Sequence, residues 1–178
     1  MILQDIGYGV DKDDISSVSN TLQTIVNFFQ QEMPGMRLAF ATFNESLGSY
    51  LPRTTFSSDV SNRGYLKSAI DDVASAYPRT IRLDPANPNN GAVLDAVIDA
   101  SKDSNIGWSN NAAKFIVVLT RFGFPVAAPF MSQDDFKANL LQYGALPIFC
   151  TRVLNNPGKA QFQALVDTIR IGVVGNGK

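Results

Sequence analysis

The chain has no histidine and only one cysteine, Cys150, among its 178 residues. Without histidine, imidazole acid–base catalysis, Ser-His-Asp triads and histidine metal ligands are all excluded. One cysteine excludes an internal disulfide. Its place in the apolar run Leu146-Pro147-Ile148-Phe149-Cys150 predicts a small core residue, since a reactive thiol would need a cation or base beside it. No apolar run nears the roughly 18 residues of a membrane span, so this chain is not expected to insert into a membrane. Its first residues do not read as a secretory leader either. Charge is balanced, with 15 basic against 16 acidic residues and a formal net charge of -1. A nucleic-acid partner would need a clustered basic surface, which this composition does not supply.

What is present is enough apolar residue for a core: 45% of the chain, over a length that suits one domain spanning residues 1–178. No internal repeat or low-complexity linker divides it. Apolar runs that suit buried strands alternate with stretches of helical period. Strands are expected at residues 2–4, at 36–43, at 114–120 around Phe115-Ile116-Val117-Val118-Leu119, at 146–151 and at 171–174. A short strand within residues 50–56 is placed at a sheet edge by Pro52.

Helices are expected between them. Ile15, Val18, Leu22, Ile25, Val26 and Phe29 mark the first, with Asp13 or Asp14 as its cap. Leu66, Ile70, Val73 and Tyr77 mark the second, and Val93, Leu94, Val97 and Ile98 the third. Ser132 with Asp135 opens a fourth that Gly144 stops, and Phe162, Leu165, Val166 and Ile169 give a fifth. The pattern predicts an α/β fold: a doubly wound, mostly parallel central sheet flanked by helices.

In such a sheet, ligands bind beyond the carboxyl ends of the strands. The first strand ends there in Asp5-Ile6-Gly7-Tyr8-Gly9, followed by the acidic pair Asp13-Asp14 and a helix. This spacing resembles the Asp-x-Ser-x-Ser metal-site loop of von Willebrand factor A domains, and most nearly the integrin β-subunit form, in which two further aspartates follow. The resemblance continues in order along the chain. Arg37-Leu38-Ala39-Phe40-Ala41-Thr42-Phe43 is similar to that family's second strand, and Leu146-Pro147-Ile148-Phe149 to its fifth. Asp95-Ala96-Val97 after Asn90-Gly91 resembles the helix after the third metal-site segment. Ile106-Gly107-Trp108-Ser109-Asn110 resembles an Ile-Gly-Trp-Arg-Asn motif of integrin β chains and is the most specific local match.

The resemblance implies a Rossmann-like von Willebrand A fold, here without the family's terminal helix, and an adhesion role outside the cell or at its surface with a protein ligand or partner subunit. If that helix is missing, the groove it covers on the sheet is expected to be exposed or filled by something else. The resemblance also implies a magnesium ion held by an aspartate, two serines, a third-segment residue and an aspartate after the fourth strand. Asp5 matches. Gly7 and Gly9 stand where the serines would be, the third-segment position falls near the neutral Asn89, and Arg121 replaces the last aspartate. A guanidinium repels a dication, so Arg121 is expected either to pair with Asp5 or to point to solvent. Asp13 and Asp14 match a neighbouring calcium site of integrin β chains, but a capping role at the helix N-terminus is the preferred reading. No cofactor is therefore certain, with calcium or magnesium the candidates.

Two function classes follow. The first is a recognition module with a disabled metal-ion-dependent adhesion site, binding through residues 5–14, 87–91 and 121–131; the last of these carries Phe122, Phe124, Val126, Phe130 and Met131. The alternative is an α/β enzyme, a phosphotransferase or hydrolase using Asp5 as nucleophile or base. Gly7 stands where a phosphotransferase would want its second carboxylate, and no Gly-Lys-Ser/Thr loop is present, so a non-enzymatic role is preferred. Trp108 reads as a packing anchor, Asn44-Glu45-Ser46 as a glycosylation pattern, and Asp71-Asp72 as the solvated side of a helix.

Overall fold

A strand buried along its whole length organises the fold. In β1 (Ile2–Asp5) all four residues are buried, as expected of a central strand covered on both faces. A computed structural model of the chain describes residues 1–7, 20, 22–24, 26–28, 31–32, 36–56, 63–76, 92–120, 123–126, 128–151 and 157–175. After β1 come β2 (Phe40–Phe43), β3 (Leu51–Pro52), α1 (Arg63–Ala76), α2 (Val93–Lys102), a short 3-10 turn (Ser104–Ile106), β4 (Lys114–Thr120), α3 (Gln133–Tyr143), β5 (Ala145–Thr151) and α4 (Pro157–Gly175). Residues 20, 22–24, 26–28 and 31–32 are also helical.

The described sheet runs β3-β2-β1-β4-β5. Strand β1 pairs in parallel with β2, Ile2 opposite Phe40, and with β4, Ile2 opposite Val117. Strand β5 follows β4 in parallel from Lys114 opposite Ala145 to Thr120 opposite Thr151, placing Pro147 opposite Ile116. Only β3 is antiparallel, with Pro52 on the outermost strand, where a missing N–H is tolerated. This is the mostly parallel α/β sheet that the alternating pattern predicts. The chain goes from β1 to β2 on one side and later returns to β4 on the other, so the topological switch point lies between β1 and β4.

Side-chain alternation divides the core in two. Ile2, Leu38 and Phe40 pack with Leu22, Val26, Leu66, Ile70 and Val73 on one face. Leu3, Ala41, Phe43, Ile116 and Val118 pack with α2, Phe136 of α3, and Phe162 and Leu165 of α4 on the other. Helix α3 begins and ends as its sequence predicts. The Ser132 hydroxyl accepts from the Asp135 amide at 3.1 Å, and Gly144 stops the helix in the left-handed region at φ 63°.

At the amino edge of the sheet, Trp108 is an anchor. Its Nε1 donates to the Ala100 carbonyl at 2.9 Å and its ring lies 4.5 Å from that of Phe56. Arg37 sits over Phe56, donating to the Phe56 and Gly107 carbonyls, and Lys114 sits over Trp108. Gly107, at φ 85°, makes the turn that delivers the indole.

Three expectations are corrected. Residues 171–174 lie in α4 and form no strand. The run is only four residues long and includes Gly172, and it follows a helix in which each further residue adds a hydrogen bond without a new nucleation cost. Cys150 is exposed: it follows Leu146 and Ile148 on the outward-facing set of β5, and the partial burial of its thiol pushes the pKa up, away from reactivity. Asp71 is not simply solvated, since Gln23 Nε2 donates to it at 3.0 Å and Lys67 pairs with it. Ile15, Val18, Ile25, Phe29 and Tyr77 lie outside the described residues.

The alternation along β4 can be tested directly. Ile116 is fully buried whereas Phe115 is 47% exposed. Ile116→Ala is expected to cost about 2–5 kcal/mol in urea unfolding and Phe115→Ala less than half as much, although Phe115 is the larger side chain.

Candidate functional site

Three parallel strands lead to the carboxyl side of the switch point. Asp5 ends β1, Thr120 ends β4 on the neighbouring strand, and Glu45 lies two residues beyond the end of β2. Asp5 follows Leu3 on the same face, and Thr120 follows Val118, so the period of two points both side chains to one side of the sheet. Asp5 is 4% exposed and Thr120 6%.

Both oxygens of the Asp5 carboxyl group are engaged. Oδ1 accepts from the Gly7 amide at 2.9 Å, and Oδ2 accepts from the Thr120 hydroxyl at 2.9 Å. Burial nevertheless pushes the Asp5 pKa up to about 6 from 3.8; the two hydrogen bonds pull it down and the nearby Glu45 charge adds a smaller upward push.

Gly7 brings Glu45 into the site. A Cβ built on Gly7 would lie 2.7 Å from Glu45 Oε2, 3.1 Å from Asp5 Oδ1 and 3.3 Å from the Glu45 amide nitrogen. One carboxylate oxygen of Glu45 and one of Asp5 thus face the same small space, which the absence of a side chain at residue 7 leaves open. The Glu45 loop is held by its neighbours: Asn44 Oδ1 accepts from the Ser46 amide at 2.8 Å, the Ser49 hydroxyl accepts from the Asn44 amide at 3.0 Å, and the Asn44 carbonyl accepts from the Ala92 amide at 3.1 Å. The last bond ties this loop to the start of α2.

Of the site residues named from sequence, Asp5 is placed at the switch point. Asp13, Asp14, Asn89 and Arg121 lie outside the described residues, as does Gly9. Glu45 and Thr120 are the members that sequence reasoning missed. Thr120 was readable as the last residue of a buried strand beside β1. Glu45 had only its position just past β2 to mark it. In the loop after β4, Phe124 departs from the exposed aromatic surface expected there. Phe124 is 2% exposed, its ring lies 5.2 Å from that of Phe162, and its backbone N–H and C=O are both bound by the Gln161 side chain. Val126, in contrast, is 74% exposed.

No protein-family model and no curated protein matches the chain. Solved structures do match. One crystal form of proximal thread matrix protein 1 (PTMP1) from the mussel byssus is similar over 96% of this chain and 46% of that one, with a TM-score of 0.60 and 12% identity. A structure of the same byssus protein with a zinc-occupied MIDAS motif is similar over 84% of this chain and 37% of that one, with a TM-score of 0.55 and 13% identity. The fold is von Willebrand A-like. At such identity the likeness carries the fold alone, and this chain spans less than half the length of either structure.

A metal is what this fold implies at the end of β1. Of the five positions in the oxygen set that the resemblance requires there, Asp5 and Gly7 lie among the described residues, and Asp5 supplies its oxygen. Gly7 offers no hydroxyl, and the space in which a side chain would begin is met by a carboxylate from another loop. Among the described residues, no group of three or more His, Cys, Asp or Glu comes together.

The raised Asp5 pKa has a defined effect on stability. The folded state holds the proton more tightly than the unfolded chain, so this contribution is complete below pH 3.8 and is lost as pH rises through about 6. Relative to wild type, Asp5→Asn should gain up to about 3 kcal/mol between pH 4 and pH 7. Urea titrations at several pH values would read this as a difference curve that rises across that window.

Proposed function

We propose that this chain is a protein–protein recognition module of the integrin-β-like adhesion type, acting outside the cell, with its principal metal site disabled. The observation that carries the reading is the Gly7 space at the end of β1, where Glu45 Oε2 stands 2.7 Å from the position a Cβ would take. Glycine at residue 7 offers no side-chain hydroxyl to a cation, and the space beside it is met by the Glu45 loop. Gly9 and Arg121, in place of a serine and an aspartate, point the same way. The extracellular location rests on the resemblance and on the fold shared with a byssus matrix protein. Among the described residues no helix is long and apolar enough to cross a membrane.

The contact itself is assigned to the carboxyl edge, and within it to the loop leaving β4. Val126, Ala128 and Pro129 are exposed there, held by the Phe124–Gln161 clamp. An apolar contact on a braced loop loses little entropy on binding and needs no bridging cation. The enzyme alternative is less favoured, because Asp5 is buried and both of its oxygens already accept hydrogen bonds.

Two measurements test this. A photo-crosslinker at Val126 is expected to capture a protein partner from an extracellular extract equally in EDTA and in millimolar magnesium, whereas one at Gln142 is not; capture only with magnesium would sink the proposal. A capping role for Asp13 and Asp14, the preferred reading of their sequence, predicts that the melting temperature does not change when EDTA is replaced by calcium or magnesium. A native-state site at 100 times its Kd would add about 2.7 kcal/mol. A rise of that kind, lost in Asp13→Ala/Asp14→Ala, would restore the calcium reading.

A further inference from the structure

Asn44-Glu45-Ser46 is the only Asn-x-Ser/Thr triplet in the chain, and proline, which would bar its use, is absent from the middle position. The triplet begins one residue beyond β2, in a loop whose residues 46–48 are exposed. We propose that Asn44 is an acceptor for an N-linked oligosaccharide. This goes beyond the recognition reading and rests on the extracellular location given there.

The two polar atoms of the Asn44 side chain have different duties. Oδ1 accepts from the Ser46 amide at 2.8 Å, closing a turn. A backbone N–H needs an acceptor, so this bond fixes which end of the side-chain amide is oxygen. Nδ2 makes no hydrogen bond among the described residues, and the one buried side-chain nitrogen or oxygen there without a partner is Gln4 Oε1. Nδ2 therefore reaches solvent. The backbone beneath it is held by other groups: the Asn44 amide donates to the Ser49 hydroxyl at 3.0 Å, and the Asn44 carbonyl accepts from the Ala92 amide at 3.1 Å. A sugar on Nδ2 leaves all three bonds in place, because an N-substituted amide keeps its oxygen.

The transfer is a substitution at a sugar carbon. Asn44 Nδ2 bonds to C1 of the first sugar of an oligosaccharide carried on a lipid diphosphate. The C1–O bond to the diphosphate breaks, that oxygen keeps the electron pair, and Nδ2 gives up one proton. Ser46, itself exposed, supplies the hydroxyl that the triplet requires. The product is bulky and hydrophilic, and it would stand on the carboxyl edge beside the Gly7 space without occupying it.

Secretion of the full chain from insect cells, behind an added leader, tests this. The wild type is expected to carry one glycan, seen as a mass on the Asn44 peptide that peptide N-glycosidase removes. Ser46→Ala should lose that mass completely and still fold, because Ser46 gives only backbone groups to the turn. The glycosylated wild type should melt no lower than Ser46→Ala. Secreted wild type with Asn44 unmodified would overturn the proposal. So would a glycosylated form that melts well below Ser46→Ala, because the fold would then need Nδ2. The added leader supplies the route, so this result does not depend on where the chain naturally resides. Failure here leaves the crosslinking test of recognition untouched, and the reverse also holds.

Discussion

Four residues hold the two halves of this molecule together. Strand β1 is hydrogen-bonded on one side to β2 and on the other to β4, and its side chains supply both core clusters. In a parallel sheet such a strand has no solvent face, so each of its positions is constrained at once by two ladders and a helical layer. Asp5 is the last residue under that constraint. Its carboxyl group is buried because the strand is central, and it is tolerable there because Gly7 and Thr120 each donate a hydrogen bond to it.

The chemistry of the carboxyl edge follows from this position. A buried carboxyl group with two donors and a nearby carboxylate is balanced between charge and neutrality, whereas a metal site needs several fixed oxygens aimed at one point. The described edge has two carboxylates and one hydroxyl, delivered by three strands, with a glycine where the resemblance places a hydroxyl. Topology builds this edge and individual side chains decide its chemistry, so a von Willebrand A-like fold does not by itself dictate what the edge holds.

Much of this was legible in the sequence, for local reasons. The continuously apolar runs at 114–120 and 146–151 mark strands. The expectation that such a run is covered on both faces fails here, since Ile116 and Val118 are buried while Phe115, Leu146 and Ile148 are exposed. The caps at Ser132 and Gly144 use interactions three or four residues long. Asp5 was found because a polar residue ending a buried strand is conspicuous. Glu45 was not found because it meets Gly7 across 38 residues of chain, and nothing in Asn44-Glu45-Ser46 signals a neighbour that distant. The run at 171–174 misled because a short β-branched stretch carries no information about the helix already in progress before it. Phe124 misled similarly, since loop composition does not reveal that Gln161 and Phe162 wait in a helix to receive it.

Strand β5 is the outermost of the parallel strands described, and Leu146 and Ile148 face outward from it on either side of Pro147. Such an edge is the kind that recruits foreign strands, because exposed aliphatic side chains and free amides invite a ladder to continue. Pro147 lies near the middle of β5 and has no N–H to donate to any ladder. A proline within an outer strand is one of the devices by which natural sheets discourage further pairing, and here it sits between two exposed aliphatic residues.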